Sequence, residues 1–290
     1  MTLAKVLVTG AGGFIGKHLV PALAASGYHV IAATNSTTFP QAGVTCIKMP
    51  DLAKTVDWPT LIGDADRVIH LAAIAHRPTD DFSFCRVNGR AVAELASVAK
   101  SIGVKQLVFV SSIAAQVGSA ADRLVTEEDF PRPVNAYGRA KLAAEQAVKA
   151  SGIPFTVLRP AVTMGPDAKG NFGTLARLIK AGIPLPFGML KSQRSVLSIQ
   201  NFVSAVLIAL KSSAAIDQTY IVADPNPETI SAITRKFAAM IGMRPIIVPI
   251  PAIMLKAGFQ VTGRSELWDR LGRPLIVSSA RLQAIGWTPS

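Results

Sequence analysis

Tyr137 and Lys141 stand four residues apart in the stretch NAYGRAK (135–141). On a helix, positions i and i+4 share a face one turn apart. A phenol so placed can give or take a proton. A neighbouring ammonium favours the phenolate and draws the phenol pKa from about 10 towards working pH. Upstream, FVSSIAA (109–115) offers two hydroxyls, Ser111 and Ser112, at the end of an apolar run. A hydroxyl there can hold a substrate oxygen that gains charge during reaction.

A second motif lies at the start of the chain. VTGAGGFIG (8–16) spaces Gly10, Gly13 and Gly16 as G-x-x-G-x-x-G. Gly10 permits a tight turn, Gly13 lets the backbone approach a pyrophosphate, and Gly16 lets helix and strand pack closely. The helix that opens there presents unpaired N–H groups and a positive dipole end to phosphates. The motif therefore points to a dinucleotide. The second strand ends AATNSTT (32–38), without the acidic residue that would bond the ribose hydroxyls of NAD. Asn35, Ser36 and Thr37 can donate to a 2′-phosphate, which favours NADP(H) over NAD(H). Asp51, after the third strand, can accept from an adenine amino group or simply close a solvated turn.

These residues need elements to hold them. Apolar runs at 5–10, 29–34, 44–49, 67–73, 106–112 and 155–161 read as strands covered on both faces. Helical patterns fall near 14–26, 83–102 and 137–151, with Pro21 predicting a kink in the first. The alternation predicts an α/β fold with a Rossmann-type, doubly wound parallel sheet. Ligands then sit at the carboxyl ends of the strands, where the serine pair faces Tyr137 and Lys141. After about residue 165 glycine and proline thicken and strands shorten. The expected organisation is a dinucleotide-binding domain over 1–165, rejoined by about 195–225, and a smaller substrate-binding lobe over 166–290.

Together, TGAGGFIG, HLAA (70–73), the serine pair, YGRAK and LRPAVTMGP resemble the extended short-chain dehydrogenase/reductase family, in its NAD-dependent epimerase/dehydratase branch. The match spans nearly the whole chain. The resemblance implies that Tyr137 is the acid/base, Lys141 its partner and a bridge to the nicotinamide ribose, and Ser112 the assisting hydroxyl. Ser112 is preferred to Ser111 because it precedes Tyr137 by 25 residues. Implied cofactor contacts are Gly10, Gly13, Phe14, Ile15, Gly16, Asn35, Ser36, Asp51, Leu52, Leu71, Ala72, Ala73, Lys141 and Pro160. Implied substrate contacts are Asn88, Ser112 and Asn171, with Arg194 and Arg270 gripping a UDP diphosphate through their planar guanidinium groups. The implied activity is hydride transfer at carbon 4 of a UDP-sugar. A 4-ketoreductase of a UDP-N-acetyl-6-deoxyhexosulose comes first and a 4-epimerase with retained NAD second. A non-catalytic cofactor sensor is the reading of another class. A homodimer through a four-helix contact is also implied.

Composition narrows the alternatives. Of 290 residues, 50% are hydrophobic and 17% charged, enough apolar content for a large core. No apolar run reaches the roughly 18 residues of a membrane span, and the first residues read as a strand, so a cytoplasmic protein is expected. Two cysteines fit no metal or disulfide framework. Net charge is +12, and residues 161–290 carry 14 Lys/Arg against 6 Asp/Glu. With no basic run and no aromatic interleaving, this excess suits a polyanionic small molecule or an anionic membrane surface better than nucleic acid. The apolar segment 245–262 is the place where peripheral membrane contact would occur.

Overall fold

The computed structural model describes residues 3–35, 37–74 and 80–290. The chain opens with β1 (Lys5–Thr9), α1 (Phe14–Ala25), β2 (His29–Thr34), β3 (Val44–Lys48), α2 (Trp58–Ile62) and β4 (Arg67–His70). It continues through α3 (Asp81–Phe84), a π-helical segment (Cys85–Arg90), α4 (Ala91–Ser101), β5 (Gln106–Val110), α5 (Ala136–Ala150) and β6 (Phe155–Pro160). The first helix runs on through Pro21.

Six of these strands and a later one, β10 (Gln218–Val222), form one parallel sheet in the order β10-β6-β5-β4-β1-β2-β3. The order reverses between β1 and β4, and the crevice outside their carboxyl ends is where such sheets bind ligands. Alternate residues of the strands feed opposite faces. Val6 and Val8 of β1 join Leu19, Val20 and Leu23 of α1 on one side. Leu7 joins Leu95 of α4 and Ala144 and Val148 of α5 on the other. This two-sided cover explains why the strands read as continuous apolar runs.

The rest builds smaller pieces. β7 (Val162–Met164) pairs with β9 (Val196–Ser198), and β8 (Gln193–Arg194) with β11 (Glu228–Thr229). Around them lie α6 (Asn171–Lys180), α7 (Ile199–Lys211), α8 (Ile230–Met240), α9 (Ala252–Val261), α10 (Ser265–Leu271) and α11 (Ala280–Gln283). α7 packs Phe202 and Val206 on the main sheet, whereas Phe172 of α6 and Phe237 of α8 meet in a separate apolar cluster, rings 4.9 Å apart. The helix expected over 83–102 is broken into α3, the π-helical segment and α4. The wider turn carries Asn88, whose amide is tied to the backbone of Ile74.

The glycine turn shows its fit in space. Gly10 has φ +70°, and a Cβ there would lie 2.8 Å from the amide nitrogen of Ala72 beyond β4. A Cβ on Gly16 would lie 2.2 Å from the carbonyl oxygen of Ala11. Gly16→Ala should therefore push α1 off the sheet, costing about 1–3 kcal/mol. Urea unfolding should show a lower midpoint with an unchanged m-value; an unchanged midpoint would refute this packing role.

Candidate active site

The site grows from the junction of β5 and α5. Past Val110 the chain turns through Ser111 and Ser112 into a short 3-10 turn, Ile113–Ala115. Ser112 caps that turn, its Oγ accepting from the Ala114 amide at 3.1 Å. Asn135 caps α5, its Oδ1 accepting from the Gly138 amide at 2.8 Å. The two capped ends touch, since a Cβ on Gly138 would fall 2.2 Å from the Ala114 carbonyl oxygen. Only glycine allows this approach, and it brings the Tyr137 phenol beside the Ser112 hydroxyl. Phe84 covers the phenol edge-on, ring centroids 6.1 Å apart.

The two serines thus have different tasks. Ser111 Oγ is buried and donates to Glu145 Oε1 at 2.5 Å. Ser112 is the hydroxyl that meets Tyr137. Lys141 is buried at 2% exposure, donates to the Val110 carbonyl at 2.8 Å, and lies 4.7 Å over the Phe109 ring. Burial brings its ammonium down to about 7, against the pull of the Glu145 carboxylate. The phenol corrects the expectation of a lowered pKa. Burial pushes Tyr137 up to about 12, with the Ser112 hydrogen bond pulling the other way. The cost of burying a phenolate outweighs that bond, and the Lys141 ammonium is aimed instead at a carbonyl and an aromatic face. Burial therefore keeps the Tyr137 phenol protonated.

A buried network fixes the frame. Glu145 takes Arg159 Nε at 2.9 Å and Nη2 at 2.5 Å, while Arg159 Nη1 donates to Gln116 Oε1. Gln116 Nε2 in turn donates to the carbonyls of Thr126 and Asp129, pinning the loop that leads to α5. Sequence reading passed over Gly138, Glu145, Arg159 and Gln116. Glu145 had a signal, since Tyr137, Lys141 and Glu145 fall at i, i+4 and i+8 on one helical face.

The cofactor residues gather at the crevice. Gly13 caps α1 without a side-chain bond, and no acidic residue stands in the first turn holding Phe14 and Ile15. That bare helix end, with the Gly10 cradle that a Cβ would fill, fits a dinucleotide pyrophosphate. Leu71, Ala72 and Ala73 follow β4 beside Gly10, Leu52 is buried near the β2–β3 edge, and Pro160 ends β6. Asn35 is exposed just past β2, and Ser36 lies outside the described residues. Asp51 is exposed and accepts from the Ala53 amide at 3.0 Å, the turn-closing alternative. His70 lies beneath, its Nδ1 2.9 Å from Thr9 Oγ1, and burial with the Lys141 charge holds it at about 3.

Two of the expected substrate contacts are buried and already bonded within the chain. Asn88 is fully buried, and its amide accepts from the Ile74 N–H at 2.8 Å and donates to the Ile74 carbonyl at 2.7 Å. It shapes the wall after β4. Arg194 is also buried, and its guanidinium donates to the carbonyls of Asp269, Arg273 and Ser119. It ties α10 to the loop after the 3-10 turn, because burial obliged its donors to find partners. Arg270 is half-exposed, pairs with Glu266 at 3.3 Å, and stands close enough for its charge to depress Arg194. Asn171 is exposed at the start of α6.

The family model described as "NAD dependent epimerase/dehydratase family" matches residues 6–223. The chain belongs to that family. It is 30% identical to the UDP-glucose 4-epimerase of Vibrio cholerae over 298 residues, covering 98% of this chain and 90% of that one. It is 31% identical to the GDP-6-deoxy-D-mannose reductase of Pseudomonas aeruginosa over 302 residues, covering 97% and 95%. Among solved structures, MoeE5 in complex with UDP-glucuronic acid and NAD superposes with TM-score 0.79 at 26% identity, covering 99% of this chain and 94% of that one. The chain is thus an enzyme of the NAD-dependent epimerase/dehydratase family, and the Tyr137–Lys141 pair sits on the fold such enzymes use.

Two outcomes test this geometry. Gly138→Ala should lower kcat about 10²-fold, by parting Tyr137 from Ser112, while cofactor affinity holds; unchanged kcat would refute the close-approach role. His70 binds fewer protons folded than unfolded between pH 6.5 and about 3. Its contribution to stability is present above 6.5 and lost as pH falls through that window. The thermal midpoint of His70→Asn should therefore fall less steeply with acid than that of the wild type, and equal slopes would count against it.

Proposed function

We propose that the protein transfers hydride at carbon 4 of a UDP-sugar, acting foremost as a 4-ketoreductase of a UDP-N-acetyl-6-deoxyhexosulose. The observation that carries this reading is the phenol of Tyr137 beside the Ser112 hydroxyl at the carboxyl edge of β5, on the same sheet edge as the glycine cradle. A nicotinamide cofactor held by Gly10, Gly13, Phe14 and Ile15 supplies the hydride. Tyr137 gives its proton to the oxygen that becomes the 4-hydroxyl. Ser112 donates to the same oxygen as charge develops. Lys141 stays one turn below the phenol, where its charge favours the proton's departure. A phenol held in its acid form suits the reductive direction, in which the first demand on it is a proton.

The carbon-4 chemistry agrees with the name of the Vibrio cholerae relative, a 4-epimerase, and reduction of a nucleotide-linked deoxyhexose with that of the Pseudomonas aeruginosa relative, a GDP-6-deoxy-D-mannose reductase. The UDP moiety rests on UDP-glucuronic acid in MoeE5 and on the proximity of Arg194 and Arg270, two cations without a shared carboxylate. Arg270 and Asn171 are the proposed substrate contacts, with Arg194 lending charge from behind. NADPH over NADH rests on the missing acid after β2; Asn35 and Ser36 are its proposed 2′-phosphate donors. The second reading is a UDP-sugar 4-epimerase with retained NAD, favoured by the Vibrio cholerae relative. A homodimer would form across the small-residue trough between the π-helical segment and α5, a space of about 470 Å³ lined by Gly89, Ala93, Ala140, Ala143 and Ala147.

The test is NADPH and NADH consumption with UDP-4-keto-6-deoxy-N-acetylhexosamine, followed by product analysis. Tyr137→Phe should keep the fold and cofactor binding and lose about 10²–10⁴-fold in turnover. Near-wild-type turnover in that variant would overturn the role of Tyr137. Nicotinamide co-purifying with the protein, with UDP-glucose converted to its 4-epimer and no coenzyme consumed, would establish the second reading instead.

A further inference from the structure

Helix α9 breaks the rule for a surface helix. Ala252, Leu255 and Phe259 turn inward, the first two against the Phe172–Phe237 cluster. The opposite face should then be polar. It carries Ile253, Met254, Ala257, Gly258 and Val261, and no residue of the helix is buried. Ile253 is 77% exposed, Met254 62% and Val261 89%. The apolar surface extends beyond the helix. Leu185 pairs with Ile247 and Gly188 donates to the Val248 carbonyl, which sets exposed Ile183 and Met189 along the same strip as exposed Ile246.

The charge on this surface is mainly positive, and the two acids of adjoining α10, Glu266 and Asp269, are paired with Arg270 and Arg273. Residues 229–265 contain five basic residues, Arg235, Lys236, Arg244, Lys256 and Arg264, and no acidic one. Residues 168–216, which include the paired strip, contain six Lys/Arg and again no acid. Arg244, Lys256 and Arg264 are exposed, on or beside α9. A second copy meeting this face about a two-fold axis would bring these cations against their own images. An anionic bilayer supplies what both features lack: an apolar boundary for Ile253, Met254 and Val261, and negative headgroups for the cations.

We infer that α9 and the strip beside it form a membrane-docking face, lying in the interface of an anionic bilayer. The helix has 10 residues and lies along the surface rather than across it; among the described residues no helix is long and apolar enough to span. The face adjoins α10, which carries Arg270, so docking would hold the proposed diphosphate site close to the headgroup plane. The inference does not depend on which sugar is reduced, and its test reads no turnover.

The full chain is floated on a density gradient with vesicles of phosphatidylcholine containing phosphatidylglycerol, and with phosphatidylcholine alone. The wild type should float with the anionic vesicles at low salt and largely stay behind with the neutral ones. Ile253→Ser with Val261→Ser should lose at least tenfold in bound fraction, with circular dichroism and cofactor binding intact. Arg244→Gln, Lys256→Gln and Arg264→Gln should each weaken binding about fivefold. Absence of flotation at low salt would overturn the proposal, as would flotation unchanged by the serine substitutions. A serine variant that turns a sedimenting dimer into a monomer, while neither protein floats, would assign the face to a second copy and likewise refute it.

Discussion

α5 must lie against the carboxyl end of β5, close enough for helix backbone to meet turn backbone. Gly138 over the Ala114 carbonyl sets that distance, and Lys141 fastens it by donating to the Val110 carbonyl. Everything chemical in the site is referred to this contact. It decides that Tyr137 reaches Ser112, that Lys141 lies out of water, and that Ser111 turns away towards Glu145. A looser junction would leave the same residues on the same elements without a shared pocket.

Burial is the other half of this constraint. An ammonium at 2% exposure is costly unless something answers its charge, and the answer here is a carbonyl, an aromatic face and the carboxylate one turn along. Glu145 is in turn held by Arg159, and Arg159 by Gln116, so the frame extends to the loop entering α5. Removing one member of such a buried set strands the others, which makes the network a device for precision more than for net stability. Because it is dry, it also reverses the simple view of the Tyr–Lys pair. The phenol is kept protonated and the lysine is brought close to losing its proton.

The second half of the chain works by different physics. Its apolar cluster is small, and the elements over it are short. Arg194 is drawn inward to satisfy carbonyls from three segments, so a residue with the chemistry of a ligand grip serves as an internal tie. Burial first, and then the nearby Arg270 charge, bring its guanidinium down to about 10. The basic excess of this half extends from that pair to the exposed α9.

The parallel sheet, the glycine turn and the Tyr137–Lys141 face were legible from the sequence, because each rests on local periodicity. Strands covered on both faces read as continuous apolar runs, and two residues four apart on a helix share a side wherever that helix lies. Strand limits drifted by at most one residue except at the ends of β5, by two, and β4, by three, since a run such as HLAA stays apolar after pairing stops. Other matters depended on what lies across from each residue. Which serine stands beside Tyr137 followed from which hydroxyl the Glu145 carboxylate claimed. The fates of Asn88 and Arg194 followed from unpaired backbone groups far along the chain, at Ile74 and at Ser119, Asp269 and Arg273. The direction of the Tyr137 shift followed from exclusion of water. Local pattern fixes which residues share a face; only packing decides what faces them and how much solvent remains to screen their charges.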